Sequence, residues 1–249
     1  MNVDHRFTQT QHQYAADDLE TMSEARRYAD HVFELLRPHL GARILEVGCG
    51  IGTFSLRLAD LAERVVCIEP NLNCAARAHA ALDGNPKISL KICHLEECDR
   101  TELAQEHVDT VVCVNVLEHI EDDVRALRLF RELVASTGGR VLIFVPAVEA
   151  AYGPLDAALG HHRRYSKPTL RAAFEAAGLE VTTMRYTNPI GLLGWMYNSH
   201  ITRATHHTPG QVRLFETLVA PWALPLDRLV PPPIGQSLFA VGRARGHAA

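Results

Sequence analysis

Short apolar runs alternate with amphipathic segments along most of the chain, and this alternation sets the expected architecture. Five runs rich in valine and isoleucine are apolar on both faces, which is typical of strands buried in a parallel sheet. Strands that alternate with helices form βαβ units with right-handed crossovers, so the pattern predicts an α/β fold. The predicted strands are residues 43–47, 64–69, 87–92, 109–114 and 140–145, and the helices between them are residues 52–61, 71–82 and 121–135.

The pattern changes on both sides of this region. Residues 23–36 carry a helical apolar face, and after residue 145 a helix is predicted at 168–177. Residues 179–186 and 237–243 alternate as strands do. Residues 188–234 are apolar and broken by proline, which favours short helices over one long helix. The expected division is an N-terminal helical arm or lid at residues 1–40, an α/β core at residues 41–187 and 235–249, and a cap insertion at residues 188–234.

Composition narrows the class of protein without naming a function. With 249 residues the chain fits one decorated domain, and its net charge of −4 gives no electrostatic sign of nucleic-acid binding. It has no uninterrupted apolar run of about 18 residues and no apolar signal segment at its start. Its six cysteines include no C-x-x-C pair, so we expect reduced, buried thiols in a cytoplasmic protein.

A glycine-rich turn follows the first predicted strand. In Glu46-Val-Gly-Cys-Gly-Ile-Gly52 the three glycines free the main chain of side chains where a parallel strand turns into a helix, which is where such folds bind ligands. The spacing is not that of a dinucleotide fingerprint, since Thr53 or Ser55 occupies the third glycine position, and no phosphate-binding P-loop is present.

A second acid, Glu69, ends the next strand, 21 residues after Gly48. An acid at that place commonly binds both hydroxyl groups of a ribose and repels a 2′-phosphate. Because Glu46 faces the same site, a pyrophosphate is disfavoured and a cation is favoured. S-adenosylmethionine has a ribose, no phosphate, an ammonium group and a sulfonium group, so it satisfies these requirements.

The glycine turn, Glu69 and the segment Asn115-Val-Leu-Glu-His-Ile-Glu-Asp-Asp123 resemble the class I S-adenosylmethionine-dependent methyltransferases. The resemblance implies a Rossmann-like, seven-stranded, mostly parallel sheet whose last strand is antiparallel, with a helical cap insertion. It implies the methionine end of the cofactor over the glycines, the ribose on Glu69, and S-adenosylhomocysteine as product. His94 stands where relatives commonly have aspartate. The implied cofactor-binding residues are Glu46, Gly48, Cys49, Gly50, Gly52, Glu69, Pro70, Asn71, His94, Leu95, Asn115, Val116 and Leu117.

Histidines supply the candidates for proton removal. His119 follows the fourth strand, next to the expected position of the methyl group, and its ordinary pKa lies near neutrality. The alternative is that His119 only opens helix 121–135. The neighbouring acids Glu118, Glu121, Asp122 and Asp123 are interpreted as helix-start residues favoured by the helix dipole.

A second cluster lies beyond the fifth strand, in Tyr152-Gly-Pro-Leu-Asp156 and Gly160-His-His-Arg-Arg-Tyr-Ser166. It resembles a D-x₃-G-H-x-R-R-Y segment of some bacterial family members. His161 and His162 are candidate bases, and the arginines can hold an acidic group. The alternative is a loop held by an Asp156–Arg164 ion pair. No metal is expected, because the histidines and cysteines lack ligand spacing. The predicted substrate-binding residues are Tyr14, Tyr152, Arg163, Arg164, Tyr165 and Trp195.

Together these features predict methyl transfer from S-adenosylmethionine to a small or amphiphilic acceptor, with oxygen favoured because several histidines can take its proton. Transfer to nitrogen or carbon, a nicotinamide-dependent oxidoreductase and a non-catalytic binding module stay open as alternatives. The expected partner is a small molecule, with no nucleic acid and no transmembrane segment, in a monomer or homodimer. The cap can give an apolar acceptor its pocket, or contact lipid or a partner subunit.

Overall fold

A seven-stranded sheet forms the centre of the molecule. The computed structural model describes residues 17–206 and 208–244. The strand order is β3-β2-β1-β4-β5-β7-β6. Strands β1 to β5 are mutually parallel, and β7 is antiparallel to both of its neighbours. The predicted α/β fold is therefore confirmed. The strands are β1 (Arg43–Val47), β2 (Arg64–Ile68), β3 (Ile88–Lys91), β4 (Thr110–Val114), β5 (Arg140–Pro146), β6 (Leu179–Thr187) and β7 (Ser237–Ala244).

Helices cover both faces of this sheet. The predicted helices are present, with bounds that shift by a few residues. Helices at residues 17–23, Arg100–Gln105 and Pro154–Leu159 are additional to those predicted. The helices are α1 (residues 17–23), α2 (Arg26–Leu36), α3 (Ser55–Leu61), α4 (Leu72–Leu82), α5 (Arg100–Gln105), α6 (Asp123–Ala135), α7 (Pro154–Leu159), α8 (Lys167–Ala176), α9 (Pro189–Tyr197), α10 (Pro209–Leu214) and α11 (Ala220–Leu229).

The strands are buried on both faces because alternate side chains enter two separate cores. On one face Val111 and Ile143 pack with side chains of α6 and α8, including Phe130. On the other face Val112 and Phe144 pack with side chains of α2, α3 and α4. This double burial is the reason that the strands are apolar at successive positions rather than at alternate ones.

The insertion after β6 forms α9, α10 and α11, and two buried acids attach it to α2. Glu216 accepts hydrogen bonds from the backbone N–H groups of Arg27 and Tyr28, at 2.8 and 3.1 Å. Asp227 lies 2.9 Å from the ring of His31 and accepts from the Thr187 hydroxyl. Burying a carboxylate is costly unless donors surround it, so these contacts fix the insertion against the core.

The cysteines differ from the expectation in one place. Cys93 and Cys98 form a disulfide with a Cα–Cα distance of 6.1 Å, so the prediction of reduced thiols is wrong for this pair. The other four cysteines are free and buried, as expected: Cys49, Cys67, Cys74 and Cys113. Within the described part of the chain, no helix combines the length and the apolar character needed to span a membrane.

Candidate active site

A cavity of about 400 Å³ opens at the carboxyl edge of the sheet, where β1, β2 and β4 end. The glycine turn and the segment after β2 form one side, and the segment after β4 forms another. Side chains from α1 and α2, including Met22 and Tyr28, cover it, and Trp195 of α9 completes the wall. Ligands of α/β proteins bind at this edge, so the fold places the cavity where the sequence predicted a site.

The glycine turn needs glycine for its conformation as well as for access. Gly48 and Gly50 have φ angles of 68° and 58°, in a backbone region that residues with a Cβ atom rarely adopt. A Cβ on Gly48 would also lie 2.3 Å from the Val116 side chain. The turn therefore brings bare backbone against the segment after β4.

Glu46 is buried beneath this turn, where it lines the cavity. Its carboxylate accepts a hydrogen bond from the Ser55 hydroxyl at 2.6 Å and lies 3.5 Å from the Cys67 thiol. Burial raises the pKa of Glu46 to about 7, against the effect of these donors and with a contribution from the charge of Glu69. A cation placed beside Glu46 would therefore meet a carboxyl group that is close to ionisation at neutral pH.

Glu69 lies across the glycine turn from Glu46. One oxygen of Glu69 accepts from the Gly50 N–H at 2.8 Å, and the other accepts from the Asn71 N–H at 2.9 Å. Burial raises the pKa of Glu69, although these two hydrogen bonds oppose the shift. The carboxylate is thus fixed in position at the cavity wall, with lone pairs remaining for a further donor.

The other residues expected to bind the cofactor divide into two groups. Those that line the cavity are Cys49, Pro70, Asn71, His94, Asn115 and Val116. Gly52, Leu95 and Leu117 do not line it: Gly52 faces the Leu82 side chain, and the two leucine side chains are buried in the core. The side chains of these two leucines therefore pack in the core rather than face a cofactor.

His161 meets Asp156 and Glu118 at the cavity. The Nδ1 atom of His161 lies 2.8 Å from Asp156 Oδ1, and its Nε2 atom lies 3.9 Å from Glu118 Oε1. Burial raises the pKa of Asp156, but hydrogen bonds from His161 and Arg164 and their charges outweigh it and hold that pKa below its usual value. Asp156 is therefore ionised and accepts a hydrogen bond from the Nδ1–H, which leaves the lone pair on Nε2, directed away from Asp156.

Glu118 differs most from its predicted role. It lies in a short 3₁₀ turn before α6 and is completely buried, so it is not a helix-start acid. Neither of its carboxylate oxygens has a hydrogen-bond partner among the described residues. Burial raises the pKa of Glu118 to about 7, partly offset by the charges of His161 and Arg164. Of the other acids, Asp122 does cap α6, by accepting from the Arg125 N–H at 2.9 Å.

His119 packs against His161, with ring centroids 4.7 Å apart in an edge-to-face arrangement. Burial, together with the charge that His161 can carry, lowers the pKa of His119 to about 3. His119 is therefore neutral over the working pH range. It belongs to the turn Leu117–His119 and precedes α6 by several residues, so it does not open that helix.

Arg164 is buried and lines the cavity beside His161. It donates to Asp156 at 2.8 Å and to the Ala147 carbonyl at 3.1 Å, and its guanidinium lies 4.3 Å from the ring centroid of Trp195. The predicted Asp156–Arg164 ion pair is therefore present. The Nη2 atom of Arg164 is buried and has no hydrogen-bond partner in the described structure, so this guanidinium keeps unused donor capacity.

The remaining predicted residues lie elsewhere. His162 is exposed and does not line the cavity. Arg163 pairs with Asp123 at 3.0 Å and donates to the Glu121 carbonyl, so the structure does not bring it to an acceptor. The Tyr152 and Tyr165 hydroxyls donate to the His161 carbonyl and to Asp123, respectively, and neither residue lines the cavity. Tyr14 lies outside the described residues.

Sequence reasoning missed that Glu118 lines the cavity and that Asp156 contacts His161. Glu118, His119 and His161 place one donor atom each within 4.8 Å of one another, so this group could hold a metal ion by its chemistry. No spacing rule shows this, because His161 is more than forty positions from Glu118. The expectation of no metal ligand stays a prediction.

Comparison with known proteins identifies the family. The family model described as a methyltransferase domain matches residues 14–184, more than half of the chain. A ubiquinone biosynthesis O-methyltransferase of Xanthomonas euvesicatoria is 30% identical over 155 residues, 57% of this chain and 64% of that protein. The mitochondrial ubiquinone biosynthesis O-methyltransferase of Homo sapiens is 27% identical over 197 residues, 71% of this chain and 53% of that protein. The chain thus spans between about half and two thirds of these relatives.

A solved structure agrees with this assignment. The S-adenosylmethionine-dependent methyltransferase from Mesorhizobium loti has a TM-score of 0.58 and 18% identity, over 86% of this chain and 97% of that one, which shows a shared fold. The family match favours a methyltransferase over the alternative of a nicotinamide-dependent oxidoreductase. This chain belongs to the class I S-adenosylmethionine-dependent methyltransferases.

Proposed function

We propose that the enzyme transfers a methyl group from S-adenosylmethionine to an oxygen of a small or amphiphilic acceptor, such as a secondary metabolite or biosynthetic intermediate, with His161 as general base. The observation that carries this proposal is the Asp156–His161 hydrogen bond of 2.8 Å at the cavity. Two matched relatives have O-methyltransferase in their names, which supports oxygen as the acceptor atom.

The residues around the glycine turn fit the cofactor by their chemistry. Glu46 would hold a cationic group, because its buried carboxyl gains from a neighbouring positive charge. Glu69 would accept from ribose hydroxyls, and the bare backbone at Gly48 and Gly50 allows close approach. When bound, S-adenosylmethionine supplies a methyl group activated by its sulfonium. Pro70, Asn71, His94, Asn115 and Val116 complete the proposed wall.

In this proposal Nε2 of His161 takes the proton of the acceptor hydroxyl. Asp156 holds the Nδ1–H and stabilises the positive charge that the ring gains when Nε2 takes the proton. Glu118, whose oxygen lies 3.9 Å from that nitrogen, adds a second compensating charge. His119 packs on the His161 ring as a neutral positioning residue, because its pKa of about 3 leaves it a poor proton acceptor.

The acceptor itself carries an acidic group in this proposal. Arg164 lines the cavity, and its buried Nη2 atom has no partner among the described residues, so a carboxylate or phosphate that reaches this atom on binding would satisfy it. The Trp195 ring that stacks on Arg164 gives an apolar surface for the body of the acceptor. A hydroxylated acid with an apolar or aromatic body meets both requirements.

The test is production of S-adenosylhomocysteine with a panel of hydroxylated aromatic and aliphatic acids, each paired with its neutral amide. We expect turnover with a subset of the acids and weaker turnover with the amides. His161→Asn keeps a donor for Asp156 but removes the base, and it should lower kcat by about 10² to 10⁴-fold. His162→Asn, the adjacent exposed histidine, should leave kcat unchanged. Equal activity of both variants, or transfer only to amines, would overturn the proposal.

A further inference from the structure

The cap insertion exposes rows of large apolar side chains. Helices α10 and α11, joined by a π-helical turn at Phe215–Val219, form one continuous helical stretch. Along it Leu214, Leu218, Trp222 and Leu226 recur every four residues, with exposed fractions of 59, 61, 55 and 56%. Residues four apart share one face of a helix, so these side chains form a single row directed at solvent.

A second row lies on α9 and its π-helical extension. Leu193, Tyr197 and Ile201 also follow at intervals of four and are more than half exposed. Most large apolar side chains exposed in the described part of the chain belong to this insertion, whereas folded monomers rarely expose such rows without a binding role. We call the exposed large apolar side chains of the insertion together the apolar face of the cap: Leu193, Tyr197, Ile201, Leu214, Leu218, Trp222, Leu226, Leu229, Val230 and Ile234.

The exposed charged side chains of the insertion are all basic. The acids in residues 188–234 are Glu216 and Asp227, and both are buried against α2 and β6. The basic residues Arg203, Arg213 and Arg228 are all exposed. Arg213 pairs with Glu24 of the N-terminal segment at 3.2 Å, and Arg228 donates to the ring of His31 at 3.3 Å. The surface of the insertion is therefore apolar and cationic, and no acidic side chain is exposed on it.

We propose that the apolar face of the cap docks on a lipid membrane that contains anionic headgroups. Apolar side chains bordered by arginines are the composition of helices that lie in the membrane interface, and tryptophan and tyrosine favour that depth. Anionic lipids would attract the exposed arginines. A second copy of the chain fits less well, because a two-fold contact through this face would bury cationic side chains of both copies with no exposed acid of the insertion to pair with them.

Helix α9 connects this surface to the cavity. Trp195 of α9 lines the cavity, while Leu193 and Tyr197 of the same helix belong to the apolar face. Docking would therefore set a wall of the cavity next to the lipid, where an amphiphilic molecule can enter without crossing water. The docking itself does not depend on the proposed methyl transfer, so each can fail alone.

The experiment is co-sedimentation of the full chain with vesicles of phosphatidylcholine mixed with phosphatidylglycerol, and with vesicles of phosphatidylcholine alone. We expect stronger binding to the mixed vesicles, weakened by added salt. In the triple variant Leu218→Gln, Trp222→Gln, Leu226→Gln the affinity for the mixed vesicles should fall by about tenfold or more. The matched control replaces three exposed leucines on helices α3 and α4, outside the insertion: Leu56→Gln, Leu61→Gln and Leu72→Gln. This control should bind the vesicles as the unchanged protein does.

Two measurements keep the result interpretable. Binding of S-adenosylhomocysteine should be the same in both triple variants, which shows that each is folded. Light scattering should give the same mass for the unchanged protein and for the cap variant. Absence of vesicle binding, or equal loss in both triple variants, would overturn the proposal. A dimer that the cap variant dissociates would assign the face to a second copy of the chain instead.

Discussion

Replacing Glu118 by glutamine should stabilise the protein above neutral pH while it removes most of the activity. The carboxylate is completely buried, its oxygens have no hydrogen-bond partner among the described residues, and burial raises its pKa from 4.5 to about 7. At about 1.4 kcal/mol per pH unit, this difference corresponds to about 3 kcal/mol. Such a cost is a large part of the stability of a typical domain.

The direction of the effect follows from the two protonation equilibria. Below pH 4.5 the carboxyl of Glu118 is protonated in both the folded and the unfolded chain, so its charge costs nothing. Between pH 4.5 and about 7 the unfolded chain loses this proton first, and the folded state loses stability as pH rises. Above about pH 7 the loss is complete. Glutamine cannot ionise, so its advantage grows over the same interval.

The assay is urea unfolding of the unchanged protein and of Glu118→Gln at about pH 5 and about pH 8.5. The difference in unfolding free energy between the two proteins should move by about 3 kcal/mol in favour of glutamine between these pH values. Glu121→Gln, an exposed neighbouring acid, should show no such movement. In the same variant, kcat should fall about 10²-fold or more, because His161 loses a compensating charge. A difference that is independent of pH would refute the reasoning.

Three further predictions concern the cavity. S-adenosylhomocysteine should bind more tightly as pH rises from about 6 to 8, up to about tenfold, because a cation favours ionised Glu46, and Glu46→Gln should abolish this slope in calorimetry. Arg164→Lys keeps the charge but loses the planar stack on Trp195, so it should raise KM for acidic acceptors about tenfold and leave neutral ones unaffected. Prolonged dialysis against EDTA should leave turnover unchanged. Activity lost on dialysis and restored by a divalent cation would instead assign a metal to Glu118, His119 and His161.

The fold could be predicted from the sequence because buried parallel strands are apolar on both faces, and that signal is local. The glycine turn could also be predicted to lie at a ligand site, since glycine-rich strand-to-helix turns of α/β proteins commonly bind ligands. Helix α5 escaped prediction because its six residues are too few to show periodicity, although Asp99 caps it. The Cys93–Cys98 disulfide was not predicted because a sequence separation of five residues matches no redox motif.

The geometry of the candidate site could be predicted only in part, because it depends on contacts between distant segments. A carboxylate just before a helix is usually a dipole acid, and only the fold shows that Glu118 is buried under His161. Asp156 was predicted to pair with Arg164, but its hydrogen bond to His161 depends on the backbone path of α7. The backbone after α7 also places His161 at the cavity and His162 in solvent, and two adjacent histidines cannot be distinguished in this way from sequence.

The most direct test of the account is chemical rescue of His161→Gly by imidazole. With an active hydroxyl acceptor, the variant should lose about 10² to 10⁴-fold in kcat, and added imidazole should restore part of it in proportion to the fraction of neutral imidazole. His162→Gly should be fully active and indifferent to imidazole. Full activity of His161→Gly without imidazole would contradict the assignment of His161 as the base.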